Sequence, residues 1–433
     1  MRFTIYTSGT RGDVQPFIPL AQGLHRAGHR VRLATGSNFQ NLIEQAGIDF
    51  APVELDYNEI MASPEIQTAF EFGGANILFV MLKLFPRVIK MVDQALVDAW
   101  RASAETDAVL FTANGPWGFH IAEALRVPAV RVCFQPLARS WQIPNVVVMS
   151  RPHRLRLINW ITHIAFELVT WLPLRGHINR GRQHVLNLPP LSFKPPYSAT
   201  NQPLLAAYSP VVSPRPDDWP EAWQVVGFWL TQTPTSWQPP SDLIAFLEAG
   251  PPPVYLGFGS MFKRDATPTT RLVLQALGRA GQRGILLRGW HSLAECELPA
   301  DVFTLDSAPH AWLFPRMAAI VHHGGSGTTA AGLCSGVPSI VVPHGADQSF
   351  WGQRVYELGV GPTPIPYRVL TAEKLATAIE TALANRAIRE RAEAIGEKIR
   401  AEDGVESAIQ EIGSVVNTHW PGTVRYSAGA GAL

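Results

Sequence analysis

The sequence predicts an α/β protein made of two doubly wound, parallel-sheet domains that face each other across a cleft. Three observations predict it. At 433 residues the chain exceeds what one ordinary core covers, so two domains of about 200 residues each are expected. Short apolar strands alternate with helices of three- and four-residue apolar spacing in the first half, and the same rhythm restarts in the second. Between them, residues 189–240 concentrate proline and end in Thr233-Pro-Thr-Ser-Trp-Gln-Pro-Pro240, the composition of a domain seam.

Each element follows from its residues. Phe3–Tyr6 reads as a buried strand closed by the loop Thr7–Asp13. Pro16–Ala27 places Phe17, Leu20 and Leu24 on one helical face, and Gly28 ends it. Arg30–Thr35 is a second strand and Asn38–Ala46 a second helix, with Gly47 as its C-cap. Ala108–Thr112 and Ala129–Phe134 are further buried strands. After the seam come a strand at Val254–Gly257, a helix at Thr269–Gly281 and strands at Gly284–Arg288 and Ala318–His322. A helix at Thr328–Cys334 and a strand at Ser339–Val342 complete the pattern. The expected division is an N-terminal domain over 1–225, a proline-rich linker over 226–240 and a C-terminal domain over 241–400. Residues 401–433 are expected to form a helix packing back on the first domain, then a frayed tail rich in Gly and Ala.

Composition narrows the class. A 46% hydrophobic and 16% charged chain is globular, and a net charge of +1 gives no general attraction to nucleic acid. Cys133, Cys296 and Cys334 are too few and too scattered for a disulfide framework or a zinc site, which fits a reducing, cytoplasmic setting. Met1-Arg2 leads directly into Phe3–Tyr6, too short for the apolar region of a signal peptide. An uninterrupted apolar run of about 18 residues is missing, so a membrane-spanning helix is not expected.

The strongest chemical signal is Ala319-Ile-Val-His-His-Gly-Gly-Ser-Gly-Thr-Thr329. An apolar strand enters His322-His323, turns through glycines and opens a helix, so unpaired N–H groups and the positive helix end converge. Glycines at 324, 325 and 327 let an anion approach the backbone, and a diphosphate suits that cradle. The plain alternative is a tight strand-to-helix turn. Past the next strand, Val342-Pro-His-Gly-Ala-Asp-Gln348 sets a carboxylate beside an amide, which suits vicinal sugar hydroxyls. Both loops open on one sheet edge, and a nucleotide sugar satisfies both.

The run His-His-Gly-Gly-Ser-Gly-Thr-Thr, then Gly-Val-Pro, then Asp-Gln, resembles the donor motif of family 1 glycosyltransferases of GT-B fold. Ala308-Pro-His-Ala-Trp-Leu-Phe-Pro315, Phe350-Trp-Gly352, Gly359-Val-Gly-Pro-Thr-Pro-Ile-Pro366, Gly257-Phe-Gly-Ser260 and Gly9-Thr-Arg-Gly-Asp-Val-Gln-Pro16 resemble the sterol 3-beta-glucosyltransferase branch and related bacterial natural-product enzymes. The resemblance runs to about residue 415. It implies an N-terminal acceptor domain and a C-terminal donor domain, with UDP-glucose as the donor substrate. It also implies that His323 and the amides of Gly325, Ser326, Gly327 and Thr328 hold the diphosphate, with Ser260 touching it. Asp347 and Gln348 would hold the sugar, and Ala308 and His310 would line the base pocket. Where plant members carry a base-stacking Trp this chain has Ser307, so Trp290 is the substitute considered. Ala331 stands where plant members place a ribose-binding Glu, which leaves uridine and thymidine diphosphates both open.

Transfer to an alcohol needs a base at the acceptor hydroxyl. Asp13, in the first strand-to-helix loop, is the candidate where plant members of the family carry His, and helix capping is its plain alternative. A single inverting displacement is expected. The diphosphate region lacks an Asp-x-Asp metal motif, so the expectation is metal-independent chemistry without a cofactor, the glycine turn, helix dipole and His323 compensating charge.

Phe70–Phe85, Pro116-Trp117, Phe134-Gln-Pro136 and Trp141–Val148 could wall an apolar acceptor pocket or be ordinary core; Trp117, Phe134 and Trp141 are the acceptor candidates. Arg151–Arg182 carries six Arg against one Glu around an apolar, aromatic stretch. It suits a peripheral membrane contact or a lid, or else a helix packed on its own sheet. Rival functions on the scaffold are transfer to a macrolide or phenol from another UDP- or TDP-sugar, sugar-nucleotide epimerisation, and nucleotide-sugar binding without catalysis.

Overall fold

Strands of nearly unbroken apolar sequence make two sheets, as burial on both faces of a parallel sheet requires. The structure is a computed structural model describing residues 1–53, 91–115, 117–196, 202–234, 236–258, 267–287 and 298–417. Ser260, Trp290, Pro116, the stretch Phe70–Phe85 and the tail 418–433 lie outside the described residues.

The first sheet has the order β3-β2-β1-β4-β5-β6-β7. Its strands are β1 (Arg2–Tyr6), β2 (Arg30–Thr35), β3 (Asp49–Pro52), β4 (Ala108–Thr112), β5 (Ala129–Cys133), β6 (Leu204–Ala206) and β7 (Trp223–Val225). The second has the order β10-β9-β8-β11-β12, from β8 (Val254–Gly257), β9 (Gly284–Leu287), β10 (Val302–Leu305), β11 (Ala319–His322) and β12 (Ser339–Val341). Every pairing is parallel. Each sheet reverses its winding once, between β1 and β4 and between β8 and β11. At such a reversal the following loops diverge to opposite faces and leave a crevice beyond the strand ends. The two doubly wound α/β domains expected from the sequence are therefore both present.

Helix boundaries shift for local reasons. The loop after β1 contains a one-turn helix, α1 (Arg11–Val14), before α2 (Phe17–Arg26). Thr10 and Asp13 close a capping box around it, offsetting the helix penalty of Gly12. The longest helix among the described residues, α3 (Arg156–His184), buries Asn159, Thr162, His163, Trp171, Ile178, Asn179 and Arg182 against the first domain. Length and composition alone would let it cross a membrane. Its polar groups instead bond inside the domain: His163 contacts the carbonyls of Leu137 (3.3 Å) and Ile143 (3.1 Å), and Arg182 forks onto Glu123.

The helix after the glycine turn, α4 (Ser326–Ser335), starts two residues before the expected Thr328, with Gly325 extended as its N-cap. It is followed by α5 (Gln348–Glu357) and, at the end of the described chain, α6 (Gly404–Asn417). The last of these crosses back onto α2 of the first domain. Its close approach depends on Gly23, where a Cβ would lie 2.7 Å from Ile409 Cδ1 and 2.8 Å from Val405 Cγ1. Trp229 Nε1 donates to the Gly404 carbonyl at 3.0 Å at the start of the same helix. One apolar cluster also runs through both domains, joining Cys133, Tyr208 and Phe228 to Phe350, Trp351 and Ile399.

Candidate active site

The first half of the site forms where β1 and β4 end. After β1 the chain passes through Gly9 at φ +134°, where a Cβ would stand 2.3 Å from Asp13 Oδ2. Glycine alone lets the carboxylate fold back over its own loop. Asp13 Oδ2 then accepts hydrogen bonds from Thr10 N (2.8 Å) and Thr10 Oγ1 (3.0 Å). Oδ1 accepts from Asn114 Nδ2 at 3.2 Å. Asn114 sits just past β4, and Ser8 Oγ donates to its carbonyl. Base and cap thus use different oxygens: Oδ2 closes the capping box, while Oδ1 bonds to an exposed side chain. Burial raises the Asp13 pKa above the ordinary carboxylate value, and the bonds from Thr10 and Asn114 oppose that rise.

The second half forms where β11 ends. Gly324 has φ +89°, and a Cβ there would meet Val341 Cγ1 at 2.7 Å and the Gln348 carbonyl at 2.9 Å. At Gly325 a Cβ would fall 2.4 Å from His323 Nε2, so the imidazole packs against bare backbone. The first turn of α4 begins immediately afterwards, and the first N–H groups of any helix lack intrahelical acceptors. Ser326, Gly327 and Thr328 present these donors. Ser326 Oγ reaches across and donates to the Phe134 carbonyl at 2.9 Å, at the end of β5 in the other domain.

Burial lowers the His323 pKa to about 4, so its ring is neutral near pH 7. Before an anion binds, His323 thus offers an N–H dipole and not a positive charge. Its Nδ1 is buried without a hydrogen-bond partner among the described residues. His322 is wholly buried and accepts from Gly324 N at 3.1 Å, which makes it part of the turn.

Asp347 stands at the N-cap of α5, and its Oδ2 accepts from Trp351 Nε1 at 3.0 Å. Gln348 Oε1 accepts from His344 N at 2.8 Å. Burial raises the Asp347 pKa to about 6; the Trp351 bond lowers it and the charge of Asp13 adds to the rise. Beside Asp347, Ala346 holds φ +51°, an uncommon conformation for a residue with a side chain. His310 stacks on Phe314 (centroids 4.2 Å apart, planes 14° apart). Its pKa falls to about 4, chiefly by burial and then through the charge of Arg11 on α1. Ala308 packs at the edge of the same apolar cluster.

The acceptor candidates separate. Trp117 is only 2% exposed and donates to the Val92 carbonyl at 3.0 Å, so it belongs to the core. Phe134 is likewise buried, edge-on to Phe17 and Trp229, and meets the cleft through its carbonyl and not its ring. Trp141 is exposed and stacks on Trp160 of α3 at 5.0 Å, with 7° between the planes. Sequence reasoning missed Asn114, and it quoted Thr10 and Trp351 within motifs without their bonds to the two aspartates. The polar turn Asn114-Gly115 directly after a fully buried strand was the available signal for the first.

Residues 3–136 match the family model for the glycosyltransferase family 28 N-terminal domain. Residues 273–414 match that for the erythromycin biosynthesis protein CIII-like C-terminal domain. The calicheamicin glycosyltransferase CalG4 superposes with a TM-score of 0.68 at 19% identity, covering 97% of this chain and 99% of its own. VinC, solved in complex with dTDP, gives 0.66 at 20% identity, covering 96% and 100%. Two facing doubly wound domains with a glycine-turn cradle between them define a GT-B transferase architecture, using a nucleotide-sugar donor.

Sterol 3-beta-glucosyltransferase UGT80B1 of Arabidopsis thaliana is 36% identical over 421 residues, 94% of this chain and 67% of that protein. The sterol 3-beta-glucosyltransferase of Aspergillus terreus is 36% identical over 424 residues, 95% of this chain and 30% of that protein. The chain belongs to the GT-B glycosyltransferases, in their sterol 3-beta-glucosyltransferase branch. It spans about two thirds of the plant relative and under a third of the fungal one.

Proposed function

We propose that this chain moves glucose from UDP-glucose to the hydroxyl of a sterol or a comparably apolar alcohol, inverting the anomeric centre without a metal. The observation that carries the reading is Asp13. It is held at the crevice of the first sheet by three hydrogen bonds, and its charge is felt by Asp347 of the second. An acceptor hydroxyl at Oδ1 gives up its proton there as its oxygen bonds to the sugar and the bond to the diphosphate breaks. The leaving charge meets the N–H groups of α4, the positive end of that helix and the N–H of His323. Asp347 and Gln348 hold the sugar hydroxyls.

The names of the plant and fungal relatives support a sterol acceptor and glucose. Thymidine diphosphate is the second donor reading, favoured by the dTDP of VinC and by Ala331 in place of a ribose-binding acid. The segment 151–182 is taken as a peripheral contact with the membrane that holds such an acceptor.

The test incubates the protein with UDP-glucose and a panel of sterols, triterpenoids and phenols, beside Asp13→Ala, with products followed by mass spectrometry. A hexose adduct that disappears in the variant supports the reading. An adduct formed equally well by Asp13→Ala removes the base. Dependence on added divalent metal, or abolition by a chelator, removes the metal-free chemistry. Adducts from TDP-glucose alone move the reading to the second donor.

A further inference from the structure

Over residues 157–172, α3 has two unlike sides. Leu157, Ile161, Leu168 and Leu172 recur at steps of four, seven and four residues, which places them on one face. They are between 36% and 55% exposed. The opposite face is anchored in the domain through Asn159, Thr162 and His163. Such an exposed apolar row is uncommon on a surface facing only water.

Charge decides what the row meets. Arg151, Arg154 and Arg156 lie exposed at its N-terminal end and form no hydrogen bond or ion pair among the described residues. The one acid of the segment, Glu167, is held in a fork by Arg139. Two copies of this face would bring arginines towards arginines, whereas an anionic surface neutralises them.

The face also connects with the cleft. Trp160 of α3 stacks on Trp141, in the loop 134–148. That loop begins at Phe134, whose carbonyl receives the Ser326 hydroxyl of the donor domain.

We propose that this face of α3, with Arg151, Arg154 and Arg156, lies flat on an anionic lipid bilayer and that loop 134–148 leads an apolar acceptor from that surface to the cleft. The proposal rests on the reading of the function as transfer to an apolar alcohol. The helix lies in the headgroup plane, because its other face is committed to protein.

The experiment uses the full chain with vesicles of phosphatidylcholine alone, or with about one third phosphatidylglycerol, at low salt. Sedimentation with the anionic vesicles, lost at high salt, is the expected result. The triple variant Arg151→Glu, Arg154→Glu, Arg156→Glu should bind roughly a hundredfold more weakly. Ile161→Asp with Leu168→Asp should lose binding as well. Both variants should still glycosylate a sterol delivered in cyclodextrin, and fail on a sterol embedded in the vesicles. Absence of wild-type binding, equal binding to neutral vesicles, or variants that bind as wild type would overturn the proposal. So would a solution dimer that Ile161→Asp dissolves, which would assign the face to a second copy. Vesicle binding that follows the expected pattern, without transfer to any cyclodextrin-delivered acceptor, supports the docking surface and overturns the transferase reading instead.

Discussion

The Ser326 hydroxyl, on the first turn of α4, donates to the Phe134 carbonyl at 2.9 Å and joins the two domains at the rim of the cleft. The same turn supplies the N–H groups of the anion cradle, so domain approach and donor binding share one structural element. A neutral hydrogen bond of this kind contributes about 1 kcal/mol, a factor of roughly five in an equilibrium. Ser326→Ala should therefore raise the KM for the nucleotide sugar about three- to tenfold while changing kcat less. Initial-rate kinetics over donor concentration check this; an unchanged KM would mean the bond is not coupled to donor binding.

Asn114 should govern the acid limb of activity. Burial raises the Asp13 pKa, and the Asn114 amide opposes that rise by donating to the charged form. Rate falls as pH drops through the pKa of a catalytic base. Asn114→Ala removes a donor and moves the acid limb to higher pH; Asn114→Asp, adding a like charge, moves it further. The check is a pH profile of kcat/KM for the three proteins. A loss of rate with an unmoved limb would leave Asn114 a packing role only.

Asp347 should cost stability near neutral pH. Its pKa is raised by folding, so the native state holds the extra proton between the unfolded value near 4 and the folded value of about 6. Stability attached to that proton is fully present below the lower value and lost as pH rises through the upper one. Asp347→Asn keeps an acceptor for Trp351 and carries no charge to desolvate. It should be close to neutral at pH 4 and stabilising by about 1–3 kcal/mol at pH 7–8, with transfer activity lost. Urea titrations at the two pH values test the sign.

Gly325 should tolerate no side chain without affecting the donor. A Cβ there would approach His323 Nε2 to 2.4 Å, so Gly325→Ala must displace the imidazole from the cradle. Its backbone is extended at φ −61°, a conformation alanine accepts, so stability should change by about 1 kcal/mol or less. Calorimetric binding of UDP should nevertheless weaken tenfold or more. Equal affinity would show that His323 does not touch the phosphates.

What could be read in advance follows the range of the forces involved. The strand–helix rhythm is local, and the glycine turn is a contiguous string, so both were legible. The turn at Asn114 was legible but its partner was not, because its bond to Asp13 spans 101 residues and exists only where the winding of the first sheet reverses. The start of α4 at Ser326 was missed because Ser-Gly looks like turn, yet Gly327 is accommodated in the helix's first turn. Aromatic residues were the least legible: Trp117 and Trp141 look alike in a string, and only tertiary packing sends one to the core and the other to the surface.

The return of α6 to the first domain should be a stability determinant for the whole chain. Gly23 lets α2 and α6 approach until Ile409 and Val405 occupy the space a Cβ would take. Trp229 adds a buried bond to the Gly404 carbonyl. Gly23→Val would force α6 outward from α2, an overpacking cost of about 1–3 kcal/mol. Because α6 starts beside Glu402, which accepts from Ser209 at 2.7 Å, the shift reaches the domain seam but not the glycine turn. The expected result is a lower urea midpoint with donor affinity retained below the transition. A variant with unchanged midpoint would mean the helix contact adds nothing to the native state.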